Sequence, residues 1–175
     1  MATEAEGDFV RAALARYREP LLRFAASMVG PSQAADVVQD TFLALCKAER
    51  ADVEAHLTPW LFRVCKNRAL DLLRERKRVE ALSEDEDVES PESGPSSSVE
   101  RKQSMSRVQK IMEGLPKKQR EALLLKFSAG LSYKEISEVM DLTITNVGVI
   151  LHTAIKTVRE RLEREAEPAG ARSAL

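Results

Sequence analysis

The side chains best suited to chemistry are cations that recur at helical spacing between residues 61 and 80. This stretch holds seven Lys or Arg against three Asp or Glu. Lys66, Asn67 and Arg74 follow Arg63 by three, four and eleven residues, which places all four on one side of a helix. Because cations in such an array neutralise successive phosphates, the pattern indicates nucleic-acid binding.

Patterns that serve catalysis are missing from the sequence. His56 and His152 are isolated, and Cys46 and Cys65 do not have the spacing of metal ligands. The sequence also shows no glycine-rich phosphate loop and no pairing of a nucleophile with a base. We therefore predict a protein that is not an enzyme and that uses no metal or cofactor. Both cysteines are expected to be small buried hydrophobes on apolar helix faces.

The charge distribution says more than the net charge of −1. Residues 81–100 contain seven acidic and no basic residues, whereas residues 101–165 contain thirteen basic and eight acidic ones. Two basic blocks thus flank an acidic strip that is rich in Ser and has no hydrophobic period. This composition predicts a flexible acidic linker over residues 81–99.

The linker divides the chain into units of residues 1–80 and 100–165, followed by a disordered tail over 166–175. No segment has the pattern of a strand, so the sequence predicts an all-α protein. Its fold is expected to be two small helical domains joined by the flexible linker, the C-terminal one a helix-turn-helix. The acidic N-terminus and the lack of an apolar run of ~20 residues predict a cytoplasmic protein without membrane insertion.

Helices of the first unit are predicted over residues 9–29, with a kink or break at Pro20, over residues 32–50, and from Thr58-Pro59 onward. Hydrophobic periodicity defines their inner faces. The predicted inner residues of the second and third helices are Ala35, Val38, Phe42 and Leu45, then Leu61, Val64, Cys65, Ala69 and Leu72.

In the second unit, residues 99–112 and 117–127 are predicted to be helical, the latter burying Ala122, Leu123 and Phe127. Ser132 and Glu135 have the spacing of a capping box, which starts a short helix over Tyr133–Met140. A turn over residues 141–143 and a longer helix complete a helix-turn-helix. The predicted inner stripe of the long helix is Val147, Leu151, Ala154, Val158 and Leu162.

The residues of the long helix outside this inner stripe are expected to form an outward face, which a DNA major groove could accommodate. Asn146 can bond an adenine edge, Thr and Val side chains can touch a thymine methyl group, and Lys156 can hold a phosphate. Lys117, Lys118 and Arg120 either add phosphate contacts or form a solvated face. The outward residues of the long helix are Thr145, Asn146, Val149, His152, Thr153, Lys156 and Arg159.

Two strings in the first unit, QAADVVQDTF from Gln33 and PWLFRVCKNRALD from Pro59, resemble bacterial sigma factors of the extracytoplasmic-function type. The second unit is similar to their other domain through LPKKQRE from Leu115 and LSYKEI from Leu131. The resemblance covers residues 8–80 and 100–165. It implies that the protein binds core RNA polymerase and directs promoter-specific initiation.

The resemblance also assigns roles to residues by position. The first domain of such factors docks on the β′ clamp and captures the melted −10 element, and the second sits on the β flap and reads the −35 element. An anti-sigma factor is a further partner that the resemblance suggests. The implied polymerase-facing residues are Asp36, Gln39 and Asp40; the −10 residues are Trp60, Arg63, Lys66, Asn67 and Arg74; the −35 residues are Tyr133, Lys134, Thr145, Asn146, Val149, His152, Thr153 and Lys156.

The chain departs from the family pattern at several of these places. Ala35 stands where an acidic residue is common, and Gly148, Val149 and Ile150 stand where basic and serine residues are usual. Trp60 can stack on an unpaired base or belong to the core. Two alternatives stay open: a free-standing helix-turn-helix regulator, and a sigma-like protein that titrates polymerase or an inhibitor without reading promoters.

Overall fold

The computed structural model describes residues 4–82 and 107–166, and within these ranges all regular structure is helical. The all-α prediction is therefore confirmed, whereas the predicted linker and tail fall almost wholly outside the described residues. A 3-10 turn over Glu54–His56 leads into α4, and a π turn over Leu124–Ser128 follows α6. The helices are α1 (Glu4–Val29), α2 (Pro31–Lys47), α3 (Arg50–Val53), α4 (Leu57–Leu82), α5 (107–113), α6 (Lys117–Leu123), α7 (Tyr133–Met140) and α8 (Ile144–Ala166).

Helix α1 runs unbroken through Pro20, so of the predicted kink or break, the break does not occur. A proline inside a helix costs about 3 kcal/mol through a lost hydrogen bond and a steric clash. Burial of the residues that follow it offsets this cost, since Leu21 and Phe24 have no exposed surface and each contributes roughly 1.5–3 kcal/mol. Phe24 also meets Phe62 of α4 edge-to-face, with 5.4 Å between ring centroids.

Helix α2 buries a face centred on Val37, Val38 and Thr41, between α1 and α4. Ala35 and Cys46 lie outside that face and are exposed, which corrects the prediction that both point inward. The error has a simple cause. Because α2 contacts two helices, its buried face is centred about one residue away from the narrow stripe that the periodicity suggested. Cys65, by contrast, is fully buried as predicted.

The helix-turn-helix forms as the sequence predicted. Ser132 Oγ accepts a hydrogen bond from the Glu135 amide at 3.2 Å, and Glu135 Oε2 accepts one from the Ser132 amide at 2.8 Å. Asp141 then adopts the left-handed conformation (φ 55°), which ends α7 and reverses the chain. Thr143 Oγ1 accepts a hydrogen bond from the Asn146 amide at 3.2 Å and so caps the start of α8.

The predicted burial of Phe127 and Leu162 is wrong: their exposed fractions are 68% and 38%. The π turn after α6 accounts for Phe127, because each of its hydrogen bonds spans one more residue than in an α-helix and shifts the faces that follow. Leu125 takes the buried position instead, with no exposed surface. Leu162 lies near the end of α8, four residues beyond the partly buried Val158.

Arg120 is partly exposed and joins α6 to the end of α5. Its guanidinium donates to the main-chain carbonyls of Met112 (2.9 Å), Glu113 (2.6 Å) and Leu115 (3.3 Å). These carbonyls lie in the last turn of α5 and just beyond it, where a cation is a favourable partner, and the Met112 carbonyl also accepts from the Leu115 amide at 3.1 Å. Arg120 is therefore a capping residue of the fold.

The two units pack against each other along α4 and α7, and along α1 and α6. Their buried apolar side chains form one continuous cluster, from Ala13 in α1 to Ala154 in α8. None of the described helices is long and apolar enough to cross a membrane.

Candidate nucleic-acid interface

Helix α4 positions the basic side chains because its opposite side is anchored in the core. Leu61, Phe62 and Cys65 have no exposed surface. The start of the helix is fixed by a 2.7 Å hydrogen bond between the hydroxyl groups of Thr58 and Tyr17. With the apolar side held in this way, the intervening positions of α4 must face outward or toward the second unit.

The predicted cations of α4 fall into two groups. Asn67 and Arg74 are exposed, and Arg74 Nη1 lies 2.9 Å from Asp71 Oδ1 in a surface ion pair. Arg63 and Lys66 instead bind the end of α7: Arg63 Nη2 donates to the Glu138 carbonyl at 3.0 Å, and Lys66 Nζ donates to the Val139 carbonyl at 3.2 Å. The predicted set is therefore split between solvent and an interface between the units.

The C-terminal end of α7 provides these cations with hydrogen-bond acceptors and partial negative charge, as a phosphate would. The last carbonyls of a helix lack partners within it and carry the negative end of the helix dipole. Arg63 and Lys66 satisfy two of them. Each hydrogen bond occupies one donor of its side chain and holds that side chain against α7, so it competes with any contact to a phosphate.

Two charged groups at the contact between α4 and the second unit, the partly buried Lys66 and the buried Glu121, interact with each other. Burial lowers the pKa of Lys66, partly opposed by the nearby carboxylates of Glu121 and Asp141. Burial likewise raises the pKa of Glu121, opposed chiefly by Lys66 and then by Lys117 and Lys118. Both shifts have the same first cause, the removal of a charged group from water. Sequence reasoning missed Glu121, because an acidic residue in a basic stretch gives no sign that it will be buried.

Trp60 lies at the first turn of α4, partly buried and packed against the core cluster. The ring is thus a structural contact in this arrangement. Its exposed part is the only portion that could stack on an unpaired base.

The outward face of α8 agrees with the sequence prediction. Thr145, Asn146, Val149, His152, Thr153 and Lys156 are all exposed. Lys156 Nζ lies 3.9 Å from Glu160 Oε1, so the neighbouring carboxylate partly compensates its charge. Tyr133 and Lys134 at the start of α7 are also exposed, and Lys126 Nζ lies 5.4 Å from the centroid of the Tyr133 ring.

In the first unit, Asp36, Gln39 and Asp40 form an exposed polar face of α2. Beside it runs a groove of about 440 Å³ between α1 and α2, whose lining includes the exposed side chains of Leu14 and Leu43. Sequence periodicity did not find these two leucines, since it places apolar residues inward by default. Among the described residues, no group of His, Cys, Asp and Glu is arranged to hold a metal ion.

Comparison with known proteins matches both units in order. A family model for sigma-70 region 2 covers residues 13–79, and one for sigma-70 region 4 covers residues 105–158. The chain is 30% identical over 151 residues to the ECF RNA polymerase sigma factor SigM of Bacillus subtilis (strain 168), a match that spans 84% of this chain and 88% of that protein. The chain belongs to the extracytoplasmic-function sigma factors of the sigma-70 family.

Further relatives of this sigma factor include the RNA polymerase sigma factor CarQ of Myxococcus xanthus, 29% identical over 159 residues, which cover 89% of this chain and 90% of CarQ. Among solved structures, the sigma factor RpoE in complex with the anti-sigma factor NepR from Bartonella quintana superposes with a TM-score of 0.71. It is 25% identical, and the match covers 89% of this chain and 97% of that one. CnrH in complex with the cytosolic domain of CnrY shares the fold, with a TM-score of 0.61, 22% identity, and coverage of 94% and 96%.

Within this sigma factor, region 2 contains α2 and all the predicted −10 residues of α4, and region 4 contains the helix-turn-helix. The hydrogen bonds from Arg63 and Lys66 to α7 therefore join the two regions directly.

Proposed function

We propose that this sigma factor joins core RNA polymerase, with the α1–α4 unit capturing the −10 element and the α5–α8 unit reading the −35 element. The observation that carries this proposal is the ordered pair of family matches, each on a unit with an exposed helix face suited to a nucleic acid. The chain contributes recognition and positioning, and we assign it no catalytic step of its own.

The first unit offers different surfaces to protein and to DNA. The α2 face of Asp36, Gln39 and Asp40 carries exposed acidic and amide groups, which suit a basic protein surface such as the polymerase β′ clamp. Helix α4 carries cations, which suit phosphates. We place the −10 contacts on Trp60, Arg63, Lys66, Asn67 and Arg74.

The second unit follows the geometry of a helix-turn-helix, in which the second helix enters the major groove. We place the −35 contacts on α8 and the start of α7, with the unit held against the polymerase β flap. Because the front of α8 is poor in charge, its affinity for DNA by itself should be low. The polymerase then supplies the binding energy that holds this unit on the promoter.

Two further assignments rest on the family. We propose an anti-sigma factor as a partner, because the similar RpoE and CnrH structures were solved with an anti-sigma factor and with the cytosolic domain of CnrY respectively. We also propose a cytoplasmic location, where polymerase acts.

The decisive experiment combines capture of core polymerase with transcription from genomic fragments. We expect the tagged chain to retain core enzyme and to produce new transcripts that core enzyme alone does not make. Asp40→Lys should weaken capture, since it places a positive charge on the α2 face. Asp52→Lys is the matched control, because Asp52 is an exposed acid on α3, away from that face.

The other outcomes identify the alternatives. Failure to retain core polymerase, together with specific binding of duplex DNA by the chain alone, would indicate a free-standing regulator. Retention of polymerase without any new transcript would indicate a protein that titrates polymerase. Either result overturns the proposed function.

A further inference from the structure

The front of α8 has an unusual composition for a helix that enters a DNA groove. Residues 144–155 contain no Asp, Glu, Lys or Arg. The centre of the exposed face is Val149, whose side chain is 61% exposed. Thr145 and Thr153 lie one turn before and after it, and Asn146 and His152 lie three residues to either side. The face is therefore apolar in the middle and polar at its edges.

The hydrogen bonding of Thr153 makes this centre more apolar than its sequence suggests. Thr153 Oγ1 donates to the main-chain carbonyl of Val149 at 2.9 Å. The hydroxyl proton is thus used inside the helix and cannot be offered to a base. What Thr153 adds to the surface is chiefly its γ-methyl group, next to the two methyl groups of Val149.

The major groove contains one apolar feature that such a surface can recognise, the C5-methyl group of thymine. Guanine is read most often by Arg or Lys, and the centre of this face has neither. The nearest cation on the face, Lys156, lies two turns along the helix from Val149 and close to Glu160.

We propose that Val149 and Thr153 are specificity residues that select thymine in the −35 element through contact with its methyl group. The inference rests on the proposed function, since it requires α8 to lie in the major groove of promoter DNA. The polar edge supports the same base pairs: Asn146 presents an amide that can bond both N6 and N7 of adenine, the partner of thymine. The surface as a whole therefore favours A·T over G·C pairs.

The magnitude follows from the transfer of a methyl group out of water. Burial of one such group against Val149 changes affinity by about four-fold. Two thymines under Val149 and Thr153 would together give on the order of fifteen-fold discrimination. This is a modest preference, appropriate to a reader whose position polymerase holds.

The test removes the methyl group and nothing else. Holoenzyme first selects its −35 sequence from promoters with that element randomised. Each thymine in the selected element is then replaced by deoxyuridine, and the affinity of the promoter complex is measured. We expect one or two positions at which the loss of the methyl group weakens binding about four-fold. At those positions 5-methylcytosine should bind better than cytosine by a similar factor.

Protein variants test whether the effect of the thymine methyl group depends on Val149. Val149→Ala should weaken the thymine promoter and abolish the thymine–deoxyuridine difference at the base that Val149 contacts, so that the two changes are not additive there, while a thymine under Thr153 keeps its difference. The variant is expected to fold, because Val149 is exposed and alanine is the best helix former. Ile155→Ala is the matched control: Ile155 is 36% exposed but on a different side of α8, and its variant should keep the full difference.

The results separate this inference from the proposed function. If holoenzyme selects no −35 sequence, the proposed function of the second unit fails. If it selects one in which every deoxyuridine promoter binds as well as its thymine parent, promoter reading stands and methyl recognition is overturned. Methyl recognition by Val149 is also overturned if Val149→Ala retains the thymine–deoxyuridine difference at every position at which the parent shows one.

Discussion

Lys66 donates a hydrogen bond to the main-chain carbonyl of Val139, 3.2 Å away, and so ties the predicted −10 helix to the end of the first helix of the helix-turn-helix. The carbonyl thus competes with the proposed role of Lys66 as a ligand of a promoter phosphate. Arg63 repeats the arrangement on the Glu138 carbonyl. Separation of region 2 from region 4 would release both side chains for the proposed −10 contacts.

Lys66→Ala should therefore shift the free protein toward separated units. The variant leaves the Val139 carbonyl without its donor and removes the chief of the three cations near the buried Glu121 carboxyl, which costs roughly 1–3 kcal/mol at the contact. Spin labels on the exposed Cys46 and on a cysteine introduced by Glu163→Cys report the separation, and we expect longer distances in the variant. Arg74→Ala is the control, because Arg74 is an exposed cation on the same helix. An unchanged distance distribution in Lys66→Ala would contradict the role of this hydrogen bond.

The salt dependence of promoter binding tests the same cations as phosphate ligands. In holoenzyme, Lys66→Ala and Arg74→Ala should each lower the slope of log affinity against log salt by about one, because each removes one phosphate contact. Lys47→Ala, an exposed cation at the end of α2, should leave the slope unchanged. A normal slope in Lys66→Ala or Arg74→Ala would place that residue on a solvated surface.

Local signals accounted for most of the fold. The capping box at Ser132 and Glu135 and the periodicity of α4 and α8 each depend on neighbours within a few residues, and the structure agrees with them. The errors arose where distant contacts decide the outcome. Phe127 is exposed because of a π turn, and Cys46 because α2 packs against two helices.

The candidate site shows the same division. The exposed face of α8 could be predicted, because it consists of the residues that lie outside the helix's periodic apolar stripe. The hydrogen bonds of Arg63 and Lys66 to α7 could not be predicted, because their acceptors are main-chain carbonyls more than seventy residues away in the chain. A backbone carbonyl has no signature in a sequence, so a contact of this kind becomes visible only in three dimensions.

Arg120→Ala should destabilise the second unit without affecting DNA contacts. The variant removes the donor of the Glu113 and Leu115 carbonyls and one of the two donors of the Met112 carbonyl, and we expect the free energy of unfolding in urea to fall by about 2 kcal/mol. Lys118→Ala, an exposed cation on the same helix, should change it by less than about 0.5 kcal/mol. If Arg120→Ala instead kept full stability and lowered the salt slope of promoter binding, Arg120 would be a phosphate ligand after all.

The buried thiol of Cys65 should make the first unit less stable as the pH becomes alkaline. Burial raises the pKa of its thiol from 9.0 to about 12, partly opposed by a hydrogen bond with Thr41. Because the folded state holds the proton more tightly than the unfolded state, this contribution is complete below pH 9 and is lost as the pH rises toward 12. Between about pH 8 and about pH 10.5 the free energy of unfolding of the parent should fall by about 2 kcal/mol more than that of Cys65→Ala.

Urea unfolding of the parent and the variant at each pH measures that difference directly, since the other titrating groups are common to both chains. Cys46→Ala is the matched control for the loss of a thiol, since Cys46 is exposed. A thiol reagent at neutral pH should likewise modify Cys46 and spare Cys65 until the protein unfolds. Parallel pH curves for the parent and Cys65→Ala would show that the thiol of Cys65 meets water in the folded state, and the packing of α2 on α4 would then have to be looser than described.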